Sequence, residues 1–410
     1  MDASQDIETV AAEIQSHVAE LWDVSQRRRK GLMRSSGPCT GQGVKSAVVT
    51  DLIGKGIGMT LNSAPNFTGS EPVQAGVGIV NQVWAMAERE DGSCLKDAVA
   101  DAILADELGY RSIWFGEHHK SREKRFFGRS SQPELLIARL IGETTSIRLG
   151  TGVKLLPQYD PQHVAETVMT LNLLAPNRID FGLGMGMRAT KAAKNHDKED
   201  DFLATLDVFC QHLSDETPPQ DRISPWCSGN LIDDLWIASR EEKSIKHAAA
   251  KGMNLVMGQL EQASHQRKFT DCFKIGGAKG RVRGVRLVHV CETEKDVWPI
   301  VEKAVTRMYS NRKTSAYGKQ ALLEKRIAEE DSTDPKQQMD EAFLIAGTPE
   351  MVRANLKAYI DVSGIDSLDV MMHVPEIEPD HIRRSMRLFA EEVMPQLVPS
   401  PERAETRASV

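Results

Sequence analysis

Residues 95–119 read LKDAVADAILADELGYRSIWFGEHH, and the order of features in that stretch decides the fold. Over Leu95–Leu108, Ala98, Val99, Ala102 and Ile103 recur at helical spacing, and Gly109 follows as a stop. Ser112–Phe115 is then a short apolar run, the length of a buried strand. The run ends in Gly116-Glu117-His118-His119, which places a carboxylate and two imidazoles directly behind a strand. One helix, one strand and a cluster of chemically capable side chains are thus packed into 25 residues.

The same alternation extends in both directions. Upstream, Ala75–Val80 reads as a strand. Downstream come a helix at Pro133–Thr144, a strand at Ile147–Val153, a helix at Val164–Leu174 and a strand at Ile179–Leu183. After a passage with Pro218, Pro219 and Pro225, strands are expected at Leu235–Ala238, Asn254–Met257, Val285–Val290 and Ser367–Val374. Helices are expected at Glu242–Ala250, Gln262–Phe273, about 295–330, Pro349–Val362 and His381–Leu397. Eight strands alternating with helices imply parallel pairing, and eight such units close a (β/α)8 barrel of the TIM type. An open, doubly wound sheet would show the same alternation.

Residues 1–73 read differently. Ile7, Val10, Ile14, Val18 and Leu21 suit one amphipathic helix, followed by Arg27-Arg28-Arg29-Lys30 and a Gly/Ser/Pro-rich passage through Gly43. We read residues 1–73 as a mobile or docked N-terminal extension, 74–399 as the barrel and 400–410 as a disordered tail.

Composition narrows the function. A formal charge of −7 over 410 residues, with no basic stripe, argues against a nucleic-acid partner. No run of about 18 apolar residues is present to span a membrane, and no apolar signal core follows Met1. The six cysteines lack CxxC spacing, which suits reduced thiols in a cytoplasmic enzyme rather than a zinc site.

In such a barrel the chemistry sits where strands end at their C-terminal side. After the second strand, imidazoles at His118 and His119 with the Glu117 carboxylate suit acid–base work near neutral pH. After the fourth strand, Gly182-Leu-Gly184-Met185-Gly186-Met-Arg188 brings backbone close to a flat ligand or a phosphate. The spacing is not GxGxxG, and easing of barrel packing is the plainer reading of the glycines. After the fifth strand, Ser239-Arg240-Glu241-Glu242-Lys243-Ser244 opens a helix, where free N–H groups suit a phosphate; the glutamates equally suit the helix dipole with no ligand. The basic loop Lys120–Arg125 is either a solvated surface or a contact for an anionic substrate.

Several segments resemble the luciferase-like flavin-dependent monooxygenases. Leu108–His119 is similar to that family's second strand, and Ile147-Arg-Leu-Gly-Thr-Gly-Val-Lys-Leu-Leu-Pro157 with Asp160-Pro161 to its third strand and exit loop. Asn177–Gly186 resembles the fourth, and Gly347-Thr-Pro-Glu350 with Glu391-Glu-Val-Met-Pro395 its C-terminal pattern. The resemblance covers about residues 74–399. It implies a barrel that binds reduced FMN, delivered by a separate flavin reductase, with dioxygen adding at flavin C4a and oxidising an aldehyde, ketone or other small organic substrate. A homodimer or heterodimer is implied as well.

By the same resemblance, His118 matches the catalytic histidine, with Glu117 and His119 completing its motif. Gly152-Val153 falls where the family often has a cis non-prolyl peptide beside the flavin. Gly184, Met185, Gly186, Arg188, Ser239, Arg240 and Ser244 are the expected cofactor contacts, Ser244 near the phosphate. Two positions depart from the family: Met185 stands where arginine is common, with Arg188 nearby, and Glu241 stands where a hydroxyl is common, with Arg240 beside it. Two other functions suit the same barrel: an F420-dependent dehydrogenase, and a non-catalytic flavin-binding partner subunit.

Overall fold

A computed structural model describes residues 76–119, 126–186, 195–311, 322 and 330–397. The expected N-terminal helix and basic stretch, the loop at 120–125, Arg188 and the tail at 400–410 lie outside the described residues. The strands are β1 (Gly78–Asn81), β2 (Trp84–Met86), β3 (Ser112–Phe115), β4 (Phe126–Gly128), β5 (Arg148–Leu155), β6 (Ile179–Gly184), β7 (Leu235–Ala238), β8 (Asn254–Met257), β9 (Val282–Val290), β10 (Leu344–Gly347) and β11 (Ser367–Met371). The helices are α1 (Asp91–Glu107), α2 (Pro133–Ile141), α3 (Pro161–Leu174), α4 (Asn195–Leu213), α5 (Glu242–Ala250), α6 (Ala263–Lys274), α7 (Glu294–Asn311), α8 (Pro335–Glu341), α9 (Pro349–Ser363) and α10 (Pro379–Leu388).

The parallel order β11-β1-β3-β5-β6-β7-β8-β9 returns to β11, so the sheet closes as the expected barrel rather than the open alternative. Leu287 on β9 pairs with Met371 on one edge and with Leu344 on the other. Lower on β9, the second edge pairs with β8, through Val282–Gly284. Above that point β10 has taken the place of β8.

Local chemistry accounts for most boundaries. Asp160 caps α3 by accepting from Gln162 N (2.9 Å) and His163 N (3.2 Å), with Pro161 in the first turn. Thr348 and Pro349 open α9, and Gly364, with φ 67°, closes it in the left-handed region.

The structure departs from the expected elements in instructive places. Between β6 and β7 stands α4, where only a proline-bearing passage was expected. Its acidic start hides a buried face of Phe202, Leu206, Phe209 and Leu213. The last barrel strand but one starts at Val282, three residues earlier than expected, because it carries the buried charge of Arg283. Three short strands were not anticipated: β10, and the antiparallel pair β2 and β4. The last strand stops at Met371 rather than Val374.

Charge, not only hydrocarbon, fills the lower barrel. Trp114 and Trp236 meet edge-on at 5.7 Å, and the Arg283 guanidinium lies 3.3 Å above Trp114 and 4.7 Å from Trp236. A side chain at Gly150 would come within 2.3 Å of Trp114, so that glycine makes room for the indole. Arg283 Nε approaches Asp369 Oδ2 at 2.9 Å without hydrogen-bond alignment, so the contact is electrostatic rather than directional. Nearby, Asp180 accepts from Trp236 Nε1 (3.1 Å) and from Arg148 Nε (2.8 Å). Burial pushes the Asp180 carboxyl up, but Arg148 outweighs it and holds the group below the ordinary range.

Two stability predictions follow from these buried groups. Asp369→Ala strands the Arg283 charge and is expected to cost about 3–5 kcal/mol in urea unfolding, and Arg283→Met with Asp369→Leu together should recover most of it. Buried His289 is lowered to about 4 by burial, with the charge of His381 adding to the effect. Its unfolded value of 6.5 is higher, so stability is complete above that pH and drains away as pH falls toward 4. That acid limb, on the order of 3 kcal/mol, should flatten in His289→Asn when unfolding is followed against pH.

Candidate active site

Of the residues singled out in the sequence, the described ones lie at the ends of β3, β5, β6 and β7, four consecutive strands of the barrel. Glu117 leaves β3 with its side chain fully buried. A carboxylate without water needs donors, and it has them from three segments. Oε1 accepts from Tyr159 Oη at 2.7 Å and lies 2.6 Å from His119 Nε2; Oε2 accepts from Leu155 N at 3.0 Å and faces Lys154 Nζ at 3.4 Å. Lys154 is itself buried, pairs with Glu134 at 2.8 Å and sits 3.6 Å above the Tyr159 ring. Burial alone would lower the Lys154 ammonium, yet Glu134 and its other neighbours hold it above its ordinary value. The Tyr159 hydroxyl is raised by burial and by the Glu117 carboxylate that accepts its proton bond. Glu117 therefore ties the ends of β3 and β5 together, and His119 is one of the side chains it holds.

His118 occupies a different environment. Its backbone N–H donates to Ser130 O (2.7 Å), and its half-buried ring stands 6.0 Å from the Trp84 ring. Its Nε2 lies 2.7 Å from Gln82 Oε1, while Gln82 Nε2 donates to Gly152 O at 3.1 Å. The second bond fixes the amide's orientation: the nitrogen faces a carbonyl, so the oxygen faces His118 and Nε2 is the donor. Gly128 leaves space for this ring, since a side chain there would fall 2.1 Å from His118 Cδ2.

The Gly152–Val153 peptide is cis, as the resemblance implied. It sits in a register shift between Thr151 and Lys154, where β5 bulges away from β6. Thr151 Oγ1 covers the gap, accepting from Gly182 N (2.9 Å) and donating to Gly182 O (2.8 Å). Val153 fills the space left by two glycines: side chains at Gly182 and Gly184 would meet it at 3.0 and 2.6 Å. The plainer reading of the glycine run as a packing device thus holds for Gly184. Met185 is half-buried against the core, and Gly186 turns the chain at φ 76°.

At the end of β7, Ser239 Oγ accepts from Glu241 N (3.1 Å), and Arg240 is ion-paired with Glu261. Ser244, buried in the first turn of α5, donates from both N and Oγ to Glu199 Oε1, at 3.0 and 2.6 Å. Gln82, Lys154, Tyr159 and Glu199 were not among the expected site residues. A lysine inside an apolar strand was a readable signal for Lys154; nothing local marks Gln82 or Glu199.

A family model described as luciferase-like monooxygenase matches residues 74–366. In Escherichia coli K12, a protein described as a luciferase-like monooxygenase is 33% identical over 182 residues, 41% of this chain and 52% of that one. Two Bacillus subtilis relatives, at 35% and 32% identity, are matched over about half of their own length, 52% and 50%. Among solved structures, the oxygenating constituent of 3,6-diketocamphane monooxygenase from Pseudomonas putida, in complex with FMN, has a TM-score of 0.65 at 17% identity, covering 80% of this chain and all of that one. An F420-dependent secondary alcohol dehydrogenase has a TM-score of 0.57 at 16% identity, over 80% of this chain and 100% of that one. Likeness at such identity shows the fold.

The buried carboxylate generates a direct test. In a double-mutant cycle, Glu117→Gln and Tyr159→Phe should couple by about 1.5–3 kcal/mol in urea unfolding, the range for a hydrogen bond to a charged group. A coupling near zero would mean that Tyr159 is not held by Glu117 in solution.

Proposed function

The chain belongs to the luciferase-like monooxygenase family, and we propose that it uses reduced FMN and dioxygen to oxidise a small organic substrate such as an aldehyde or ketone. The observation that carries this reading is the chain of contacts from His118 through Gln82 to the carbonyl of the cis Gly152–Val153 peptide. It fixes an imidazole N–H and a backbone kink on neighbouring strand ends, where a (β/α)8 barrel does its chemistry.

The residues present fit a flavin ring, and they fit its phosphate where that group takes the place of the Glu199 carboxylate. Val153 and Met185 offer an apolar wall for a ring, with His118 at the end of the neighbouring strand. The first turn of α5 offers N–H and hydroxyl donors that already hold an anionic oxygen, that of Glu199. Bound there, reduced FMN would supply the electrons that activate dioxygen for insertion into the substrate.

The chain's own groups then have separate tasks. His118 Nε2–H, with its tautomer set by Gln82, can donate to an oxygen that gains negative charge. Glu117 makes the wall between β3 and β5 rigid and dry, and its committed oxygens leave it an orienting residue rather than a proton carrier. Reduced flavin would come from a separate reductase, since no dinucleotide fingerprint stands in the sequence.

Rapid mixing of the protein and reduced FMN with oxygenated buffer tests this. A transient absorbance distinct from oxidised flavin, lengthened in life by the protein, is expected, and Gln82→Leu should shorten it while leaving FMN affinity within about threefold. Reduction of F420 by an alcohol, with no oxygen-dependent transient, would replace the proposal with the dehydrogenase reading. Absence of either activity together with flavin binding would leave a partner subunit.

A further inference from the structure

The helix that would receive the cofactor phosphate is not capped by its own sequence. Glu241 precedes the first turn of α5, and its side chain makes no capping hydrogen bond. The N–H at the third helical position, usually satisfied by the capping residue, belongs here to Ser244. It donates instead to Glu199, which arrives from α4. The Ser244 hydroxyl donates to the same oxygen. Both residues are buried: Ser244 is 1% exposed and Glu199 8%. Glu199 is held in place by a broader seam between the two helices, where Lys243 pairs with Asp200 and both His247 and Lys251 approach Asp207 at 2.9 Å.

A carboxylate oxygen and a phosphate oxygen ask for the same donors. A phosphate that settles on this turn must take the Ser244 N–H and hydroxyl from Glu199, and two anions cannot share them in a buried setting. We propose that Glu199 is an internal competitor for the phosphate of the flavin, so that FMN binds only by expelling it and gains little affinity from its phosphate. This inference rests on the reading of α5 as the phosphate end of the site. It names the residue that sets selectivity between phosphorylated and unphosphorylated flavin. It also accounts for exchange of the cofactor with a separate reductase: a phosphate that displaces one anion to replace another leaves as readily as it arrives.

A carboxylate that merely caps a helix would make a different prediction. Its removal would loosen α5 and affect every flavin alike. The discriminating measurement is therefore the ratio of FMN to riboflavin affinity, taken by flavin fluorescence titration on the full chain. The wild-type protein is expected to bind the two within about threefold of each other. In Glu199→Ala, FMN should bind about tenfold tighter or more, the factor that hydrogen bonds to an ionised group command, with riboflavin unchanged. Glu199→Gln, which keeps an acceptor oxygen without the charge, should fall between. Inorganic phosphate, titrated by 31P NMR, should follow FMN, binding Glu199→Ala but not the wild-type protein.

Equal changes for FMN and riboflavin, or an FMN affinity that falls in Glu199→Ala, would overturn the competitor role while leaving the flavin reading intact. Failure of both flavins to bind either protein would overturn the two together. Phosphate binding to the variant without flavin binding would keep the competitor and remove the flavin.

Discussion

A buried carboxylate that water cannot reach must find its donors inside the protein, and that requirement organises the upper rim of this barrel. Glu117 meets it with a tyrosine hydroxyl, an imidazole, a backbone N–H and the approach of an ammonium. These groups come from the β3 exit and from the end of β5 with the turn that follows it, so satisfying one side chain sets the spacing of two strand ends. Losing any donor would leave a desolvated charge short of a partner, a penalty of about 1–3 kcal/mol or more. The cis peptide of Gly152–Val153 lies in β5 just before the residues so held, and Gln82 reaches its carbonyl from the exit of β1, across the end of β3. His118 and the β5 kink thus flank the residues that Glu117 holds, joined to each other through Gln82.

Buried charge and shaped space are kept at opposite ends of the barrel. Near the N-terminal ends of the strands, Arg283 and Asp369 lie among Trp114, Trp236, Asp180 and Arg148, each charge paired and each indole packed. Near the other end, glycines and a strand bulge replace bulk with shaped space. The glycines of β6, Gly182 and Gly184, serve the second purpose indirectly. They admit Val153 into the space between β5 and β6.

The eight barrel strands and most of the helices were legible in the sequence because most of those strands are short, mainly apolar runs bounded by a cap, a glycine or a proline. Ser112–Phe115, Leu235–Ala238 and Asn254–Met257 coincide with their expected bounds for that reason. Where charge enters the core, the pattern fails. Arg283 shortened the expected β9, and the acidic opening of α4 concealed a helix whose apolar face is regular. The site was legible to the extent that it is local. The EHH cluster and the cis position are strings of neighbours, whereas Gln82 lies 36 residues before His118 and Glu199 lies 45 before Ser244. Pairings over that distance are decided by the closing of the barrel, and no spacing rule exposes them.

The exchange of edges along β9 decides how far up the cylinder stays closed. The floor of the barrel has eight strands, but at the level of Leu287 the edge below held by β8 belongs to β10. β10 pairs with β9 and with no other described strand, so above Gly284 the hydrogen-bonded seam between β8 and β9 comes to an end. The cylinder is therefore hydrogen-bonded all round at its base and parted between β8 and β9 toward its mouth. That parting begins just above the arginine and the two tryptophans that plug the neck, so the closed ring of hydrogen bonds coincides with the level of the buried charge.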